Sequence, residues 1–473
     1  MRFFLIACAL AGGVGPAAAQ APAATLPAAV RAELQRARVP DGALAVVLQE
    51  VGRGRTALAF NPELAMNPAS LAKLVTTFAA LDQLGPAWTW STPVWLQGRV
   101  ADGVLDGQVV IRGSGDPTLV IERVWLLLRR IQQAGVREIR GDVVLDLGAF
   151  AVPPGDPGDF DGEPHRPYNV RPDALMLNYK SVVYTFVPEP AQRRARVATT
   201  PTLGAPETSV PLTDGPCADW RATLKAGFDA EGVLRFAGAY PASCGERSWP
   251  LADPQPQTYN GRLLASLWRE MGGRLTGRVR EGAAPIGEPP SFEVVSPPLA
   301  EVVRDINKFS NNTMAQQLFY TLAAQAAPGV PATPEAARAQ LRQWLQRQFG
   351  EAAVRDALID NGSGLSRDSR LTARLLAQLL QQAWSSPVMP ELVASLPVAG
   401  LDGTMRRART ANGRAHLKTG SLRDSAGVAG YLLSDSGRRY VVVALINHPN
   451  ANAARPAIEA LLHWAQRDAP ADQ

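Results

Sequence analysis

The strongest constraint on the fold is where the strand-like runs fall. ALAVVLQE (43–50) and RTALAF (55–60) lie near one end of the chain, and SAGVAGYLLS (425–434) and RRYVVVALIN (438–447) near the other. All are short, rich in apolar residues and bounded by turn residues, the pattern of sheet strands. Each set adjoins a stretch of helical periodicity, LPAAVRAELQRARV (26–39) and the amphipathic AARPAIEALLHWAQR (453–467). The expectation is an α+β fold: one antiparallel sheet built from both chain ends, backed by the terminal helices, beside a helical lobe. Gly52-x-Gly54-x-x-Ala57 spells a dinucleotide-binding pattern, but it falls between two strands instead of opening a helix, so it reads as a hairpin turn.

Between those ends the character of the chain changes twice. From Thr92, TPVWLQGRVADGVLDGQVVIRG alternates and carries Asp-Gly turns, and IERVWLLLRRIQQAG is a helix. REIRGDVVLDLGAF returns to strand, and VPPGDPGDFDGEPHRPYNVRP is a long irregular loop dense in Pro, Gly and Asp. Mixed β structure runs to about Pro290, with GAAPIGEPPSF (282–292) as a junction. Helices follow: PLAEVVRDINKFS, NNTMAQQLFYTLAAQ, PEAARAQLRQWLQRQFG and TARLLAQLLQQAW. This divides the chain into a leader (1–19), the first part of a main domain (20–91), an insertion of one or two lobes (92–290) and the second part of the main domain (291–473).

Chemistry concentrates in three short patterns. NPASLAKLVTT (67–77) sets Ser70 three residues before Lys73 at the start of a helix that runs to Leu84. Side chains at i and i+3 share a helix face, so the hydroxyl and amine can touch. Ser310-Asn311-Asn312 sits at a break between helices, and Lys418-Thr419-Gly420-Ser421 at the end of a strand, where Gly420 permits close approach to the backbone. S-x-x-K, S-x-N and K-T-G together are the set of a serine acyl-transferase that lacks a His–Asp relay. Its base would be a neutral Lys73, whose ordinary pKa of about 10.4 must fall by burial on an apolar helix face and by the nearby Lys418 cation. The Ser310 hydroxyl can pass a proton to a leaving amine, and Asn312 can orient a substrate amide. Lys418, Thr419 and Ser421 suit a substrate carboxylate. The backbone N–H groups of Ser70 and Ser421 can form an oxyanion hole.

The remaining composition narrows the setting. MRFFLIACALAGGVGPAAAQ has a basic residue, an apolar core and small residues before Gln20, the pattern of a cleaved secretory signal, and implies a periplasmic protein. No later segment offers 18 consecutive apolar residues, so no stable membrane span is expected. Cys8 would leave with the leader, and Cys217 with Cys244 then form an even pair in an oxidising compartment, hence one disulfide. The four histidines are scattered and no Cys/His cluster has zinc spacing, so neither metal nor cofactor is implied. A net charge of +5 without a basic block gives no support for nucleic acid.

With these motifs in hand the chain resembles the low-molecular-mass, class C penicillin-binding proteins, the D-alanyl-D-alanine carboxypeptidase/endopeptidase family. GSGDPTL (113–119), DNGSGLSR (360–367) and LPVAGLDGTM (396–405) resemble blocks of that family, although their Gly and Asp content also suits turns that merely shape a cleft. The long insertion between the first two motifs is a further likeness, which spans nearly the whole mature chain. The resemblance implies a penicilloyl-serine-transferase (β-lactamase-like) domain, with Ser70 acylated, Lys73 as base, Ser310 and Asn312 as relay and substrate contact, and Lys418, Thr419 and Gly420 on the carboxylate-binding strand. It implies peptidoglycan stem peptides as substrate and β-lactams as covalent inhibitors. Asn311 stands where relatives often carry Asp. Two rivals remain: a serine β-lactamase, for which no deacylating glutamate can be placed, and an envelope-binding protein with a vestigial site. An α/β-hydrolase is disfavoured because G-x-S-x-G is missing.

Overall fold

The computed structural model describes residues 25–52, 56–204 and 208–467. The leader with Cys8, and Arg53 and Gly54 of the expected hairpin turn, lie outside the described residues.

Both chain ends meet in one five-stranded sheet. Its order is Ala415–Leu422, Ser425–Leu433, Arg439–Asn447, Leu44–Glu50 and Thr56–Phe60, every neighbouring pair antiparallel. The seam between the two ends is the pairing of Leu44–Glu50 with Arg439–Asn447, in register from Leu44 opposite Ile446 to Glu50 opposite Tyr440. Successive strand side chains point to opposite faces. Val46, Val442 and Ala444 therefore pack against the terminal helices Ala28–Arg36 and Arg455–Gln466 through Val30, Leu34, Ile458 and Leu462. Val47, Val441 and Val443 face the opposite way, onto helices Ala72–Leu84 and Ala373–Trp384. Burial on both faces explains why VVVALI is continuously apolar, where a half-exposed strand would alternate.

The helical lobe joins this second face. Leu299–Phe309, Asn312–Ala326 and Pro334–Phe349 pack around Ala72–Leu84, with Phe78 edge-on to Trp344 at 5.5 Å between ring centroids. A short helix, Met389–Ser395, has no counterpart in the sequence reading. Its seven residues begin Met-Pro, too few to show periodicity.

The β-rich insertion holds two larger sheets. A seven-stranded sheet starts with the antiparallel pair Ser91–Ala101 and Val104–Arg112, adds Val143–Asp146 in parallel, and is covered by helices Ile121–Gln133 and Pro256–Glu270. Strand Phe292–Val295 pairs back onto the first of these, Val295 opposite Ser91. The insertion thus leaves and rejoins the main body at one place, which lets it interrupt the chain without disturbing the sheet made from its ends. A five-stranded sheet around Ser181–Glu189 and Arg194–Thr200 has a small aromatic core of Phe186, Trp220 and Tyr240. Beside it the expected disulfide joins Cys217 to Cys244.

Candidate active site

Ser70 lies in a 3-10 turn, Ala69–Leu71, that runs directly into helix Ala72–Leu84. It sits one turn ahead of the α-helix proper, and Ala69 before it has φ +46. A left-handed alanine is unfavourable and must be held by its surroundings. Asn67 does so: its Oδ1 accepts from the Ala69 N–H at 2.9 Å, and its Nδ2 donates to the Ser366 carbonyl at 2.9 Å. Asn447 on the sheet seam brackets Asn67, accepting from its N–H at 2.6 Å and donating to its carbonyl at 3.0 Å. Gly420 on the adjacent strand contributes by having no side chain, since a Cβ there would lie 2.7 Å from the Pro68 carbonyl oxygen. That glycine serves the packing of strand against nucleophile turn.

Lys73 is fully buried. Its Nζ stands 2.9 Å from Ser70 Oγ, 2.6 Å from Asn312 Oδ1 and 2.6 Å from the Ser363 carbonyl oxygen. Two of these neighbours can only accept. A neutral amine therefore spends both N–H groups on Asn312 and Ser363 and is left with its lone pair toward the serine hydroxyl. Burial, reinforced by the Lys418 charge, holds Lys73 well below the ordinary lysine range, which favours that neutral form.

The second and third motifs converge on the same place. Ser310 ends helix Leu299–Phe309 in the left-handed conformation, φ +57, and its Oγ accepts from Lys418 Nζ at 2.8 Å. Asn311 caps helix Asn312–Ala326 by accepting from the Met314 N–H, a role that Asp would fill equally. Lys418 is also fully buried, and burial brings its pKa down to about 7. It lies inside strand Ala415–Leu422, not at its end, and that strand is the edge of the sheet. Thr419 Oγ1 donates to Thr404 Oγ1 at 2.8 Å. Ser421 Oγ accepts from the Arg455 guanidinium at 2.6 Å and meets Asn452 Oδ1 at 3.3 Å, so a second cation borders the strand.

Ser70, Ser310, Asn312 and Ser421 line a cleft of about 890 Å³. Its far wall comes from the insertion: Phe160, Asp161 and Tyr168 of the irregular loop, together with Tyr179. Three consecutive residues there, Asn178, Tyr179 and Lys180, have φ of +45, +52 and +44. Asn178 locks that turn by donating to Ser181 O at 3.0 Å and to the Tyr259 hydroxyl at 3.1 Å. The turn delivers the Tyr179 hydroxyl to the Asn311 side chain, and burial raises its pKa to about 12, so it stays protonated.

Several of these contributors are not named by sequence reasoning. DNGSGLSR is part of the site, since Ser363 supplies a carbonyl to Lys73 and Gly362 O accepts from Thr76 at 2.7 Å. LPVAGLDGTM also reaches it: Asp402 pairs with the buried Lys308 at 2.5 Å, two residues before Ser310, and Thr404 meets Thr419. The quoted motifs were the available signal. Asn67 and Tyr179 carry none, because their roles depend on neighbours remote in the chain.

A serine beside a buried amine, on a sheet-and-helix frame with an open edge strand, defines the class of serine acyl-transferases. Residues 26–468 match the family described as D-Ala-D-Ala carboxypeptidase 3 (S13), and the chain belongs to that family. It is therefore a serine-type carboxypeptidase and a low-molecular-mass class C penicillin-binding protein. It is 23% identical over 442 residues to D-alanyl-D-alanine carboxypeptidase DacB of Haemophilus influenzae, covering 87% of this chain and 86% of that protein. It is 27% identical over 421 residues to a D-alanyl-D-alanine carboxypeptidase of Actinomadura sp., covering 83% and 75% respectively. The crystal structure of penicillin binding protein 4 (dacB) from Haemophilus influenzae superposes with a TM-score of 0.72 at 21% identity, covering 92% of this chain and 99% of that one. That likeness concerns the fold.

Proposed function

We propose that the protein works in the periplasm as a D,D-peptidase on peptidoglycan stem peptides, trimming terminal D-alanine and opening cross-links through an acyl-enzyme on Ser70. The observation that carries this reading is the contact of Ser70 Oγ with Lys73 Nζ at 2.9 Å, the other donors of that buried amine being taken by Asn312 and Ser363. Neutral Lys73 accepts the hydroxyl proton as Oγ attacks the scissile carbonyl. The N–H groups of Ser70 and Ser421 face the developing oxyanion, and Asn312 orients the substrate amide. Lys418 with Thr419 and Ser421 receives the terminal carboxylate, with Arg455 adding charge at the rim. The proton taken up by Lys73 passes by way of the Ser310 hydroxyl to the departing D-alanine amine, which returns Lys73 to its neutral form and leaves Lys418 charged. Water then enters the vacated space; neutral Lys73 takes a proton from it as its oxygen attacks the ester carbonyl and returns that proton to Ser70 Oγ as the ester bond breaks.

We assign 20–91 and 291–473 to the main domain and 92–290 to an insertion that supplies the outer wall of the cleft, although strand Phe292–Val295 completes the insertion's sheet and moves that junction a few residues past 290. Export by a cleaved leader fits the Cys217–Cys244 disulfide, which needs an oxidising compartment. No helix among the described residues is long and apolar enough to cross a membrane.

Labelling with a fluorescent penicillin tests the assignment. Wild-type protein forms a long-lived covalent adduct, and Ser70→Ala and Lys73→Ala form none. Full labelling of Lys73→Ala would remove the assigned base, while rapid turnover of the penicillin would favour a β-lactamase. Product masses from monomeric and cross-linked muropeptides separate carboxypeptidase from endopeptidase work.

A further inference from the structure

A second cavity, of about 940 Å³, lies in the insertion, walled by the irregular loop 153–172, the start of helix Pro256–Glu270 and strand Val279–Glu281. It is distinct from the catalytic cleft but shares a wall with it. Pro153, Pro164 and Arg171 of the loop face the cavity, while Phe160, Asp161 and Tyr168 of the same loop line the cleft. That loop also reaches the second catalytic motif, since Pro167 O accepts from Thr313 Oγ1 at 3.2 Å and Tyr168 O from Asn312 Nδ2 at 3.4 Å.

The lining sets proline and aliphatic side chains among numerous charged and polar ones, a mixture that can seat a ligand with both apolar and ionised groups. Lys180 is paired with Asp173, Arg262 with Asp253 and Arg280 with Asp142, so these charges are already answered, and among the described residues Glu281 is the lining carboxylate outside any ion pair. Arg171 and Arg278 are different: among the described residues neither guanidinium forms an ion pair, although Asp142, itself paired with Arg280, accepts from the Arg278 backbone N–H at 3.0 Å and feels its charge. The Arg171 guanidinium donates to the Pro153 carbonyl and is packed so tightly that a Cβ on Gly155 would lie 2.2 Å from it. It is thus held in place before any ligand arrives. Asn260, 6% exposed, lines the same cavity with its Oδ1 unpartnered.

We propose that this cavity binds a second stem peptide of the polymer, a short acidic peptide with small apolar side chains, through carboxylate contacts to Arg171 and Arg278. Two guanidiniums outside any ion pair favour carboxylates, whose geometry they match. Proline and aliphatic walls favour methyl side chains, and the Asn260 Oδ1 favours a peptide N–H. A polymer that presents many stems places a second one near any cleft that holds the first. The choice of this occupant rests on the peptidoglycan reading above.

The test is calorimetric titration of the penicillin-acylated protein, whose catalytic serine is blocked. The probe is a synthetic stem tetrapeptide with free carboxylates and no scissile D-Ala–D-Ala bond. Saturable single-site binding is expected, weakened at least ~tenfold in the Arg171→Ala/Arg278→Ala double variant and by amidating the peptide carboxylates. Penicillin acylation of that variant stays at the wild-type rate, which also reports that it folds. Absent binding, or binding indifferent to both changes, overturns the proposal. If penicillin fails to acylate the wild type, the peptidase reading falls instead. The same titration of unblocked protein still reads the cavity through its dependence on the two arginines.

Discussion

The backbone of Gly364 rests so closely on Ala69 that a Cβ added to the glycine would lie 1.8 Å from the Ala69 carbonyl oxygen, and Gly364 has φ +77. The DNGSG turn thereby presses on the turn that presents Ser70, while Ser363 beside it binds Lys73. Gly364→Ala must displace one turn or the other. The expected cost is about 1–3 kcal/mol of stability, typical of forced overpacking. Acylation by penicillin should slow by more than the melting shift explains, read as acylation rate against Tm. An unchanged acylation rate would show that the turn does not govern the nucleophile.

Lys418 should impose a descending limb on activity. Its pKa of about 7 means that the charge awaiting a substrate carboxylate is lost as pH rises through that value. Lys73, held well below the ordinary lysine range, must lose its proton to act as base, so activity rises with pH as it does so. The profile of kcat/KM for a D-Ala-D-Ala peptide is expected to be bell-shaped, reporting the coupled pair. With the terminal carboxylate amidated, the descending limb should vanish while the ascending limb remains. A descending limb of equal size with both peptides would disprove the carboxylate role.

The same lysine should weaken the fold near neutral pH. Between about 7 and the ordinary value of 10.5 the unfolded chain holds a proton on Lys418 that the folded protein does not. Stability from this group therefore rises with pH across that window, and below it the burial penalty stays constant at its maximum. Lys418→Met is expected to raise stability at pH 7 by roughly 1–4 kcal/mol, as when a buried ion gives way to an apolar side chain. The gain should shrink toward pH 10. Denaturant titrations at the two pH values check both size and sign.

Tyr179 links the insertion to the second motif. Tyr179→Phe keeps the ring and removes the hydroxyl from the Asn311 side chain. Loss of one hydrogen bond, worth about 1 kcal/mol, predicts a fall in kcat of roughly fivefold with KM and Tm little changed. An unaltered kcat would restrict Tyr179 to lining the cleft.

The disulfide stabilises the insertion and does not touch the site. Cys217 and Cys244 close a loop of 27 residues, and replacing both with serine should cost about 2–4 kcal/mol. Penicillin labelling at temperatures below the new transition should match wild type. A parallel loss of labelling would mean that the five-stranded sheet and the cleft unfold as one unit.

Much of this protein is legible in short windows of sequence. The strands at both ends, the Ser70 helix and the helices that follow the insertion depend on local periodicity, and they stand within a few residues of their expected places. The Ser70–Lys73 contact is legible for the same reason, being set by one helical turn. Helix Met389–Ser395 was too short to signal itself, and the irregular loop 153–172 gave no hint that it walls two cavities.

Amino-acid order alone supplies the chemistry available: which hydroxyls, amines and amides exist, and which segments are strand or helix. Their protonation and placement come from the packed fold. Lys73 becomes a base, and Lys418 a cation poised near neutrality, because packing from distant segments removes water from both amines. Desolvation is a property of everything that surrounds a group, and no local spacing encodes it.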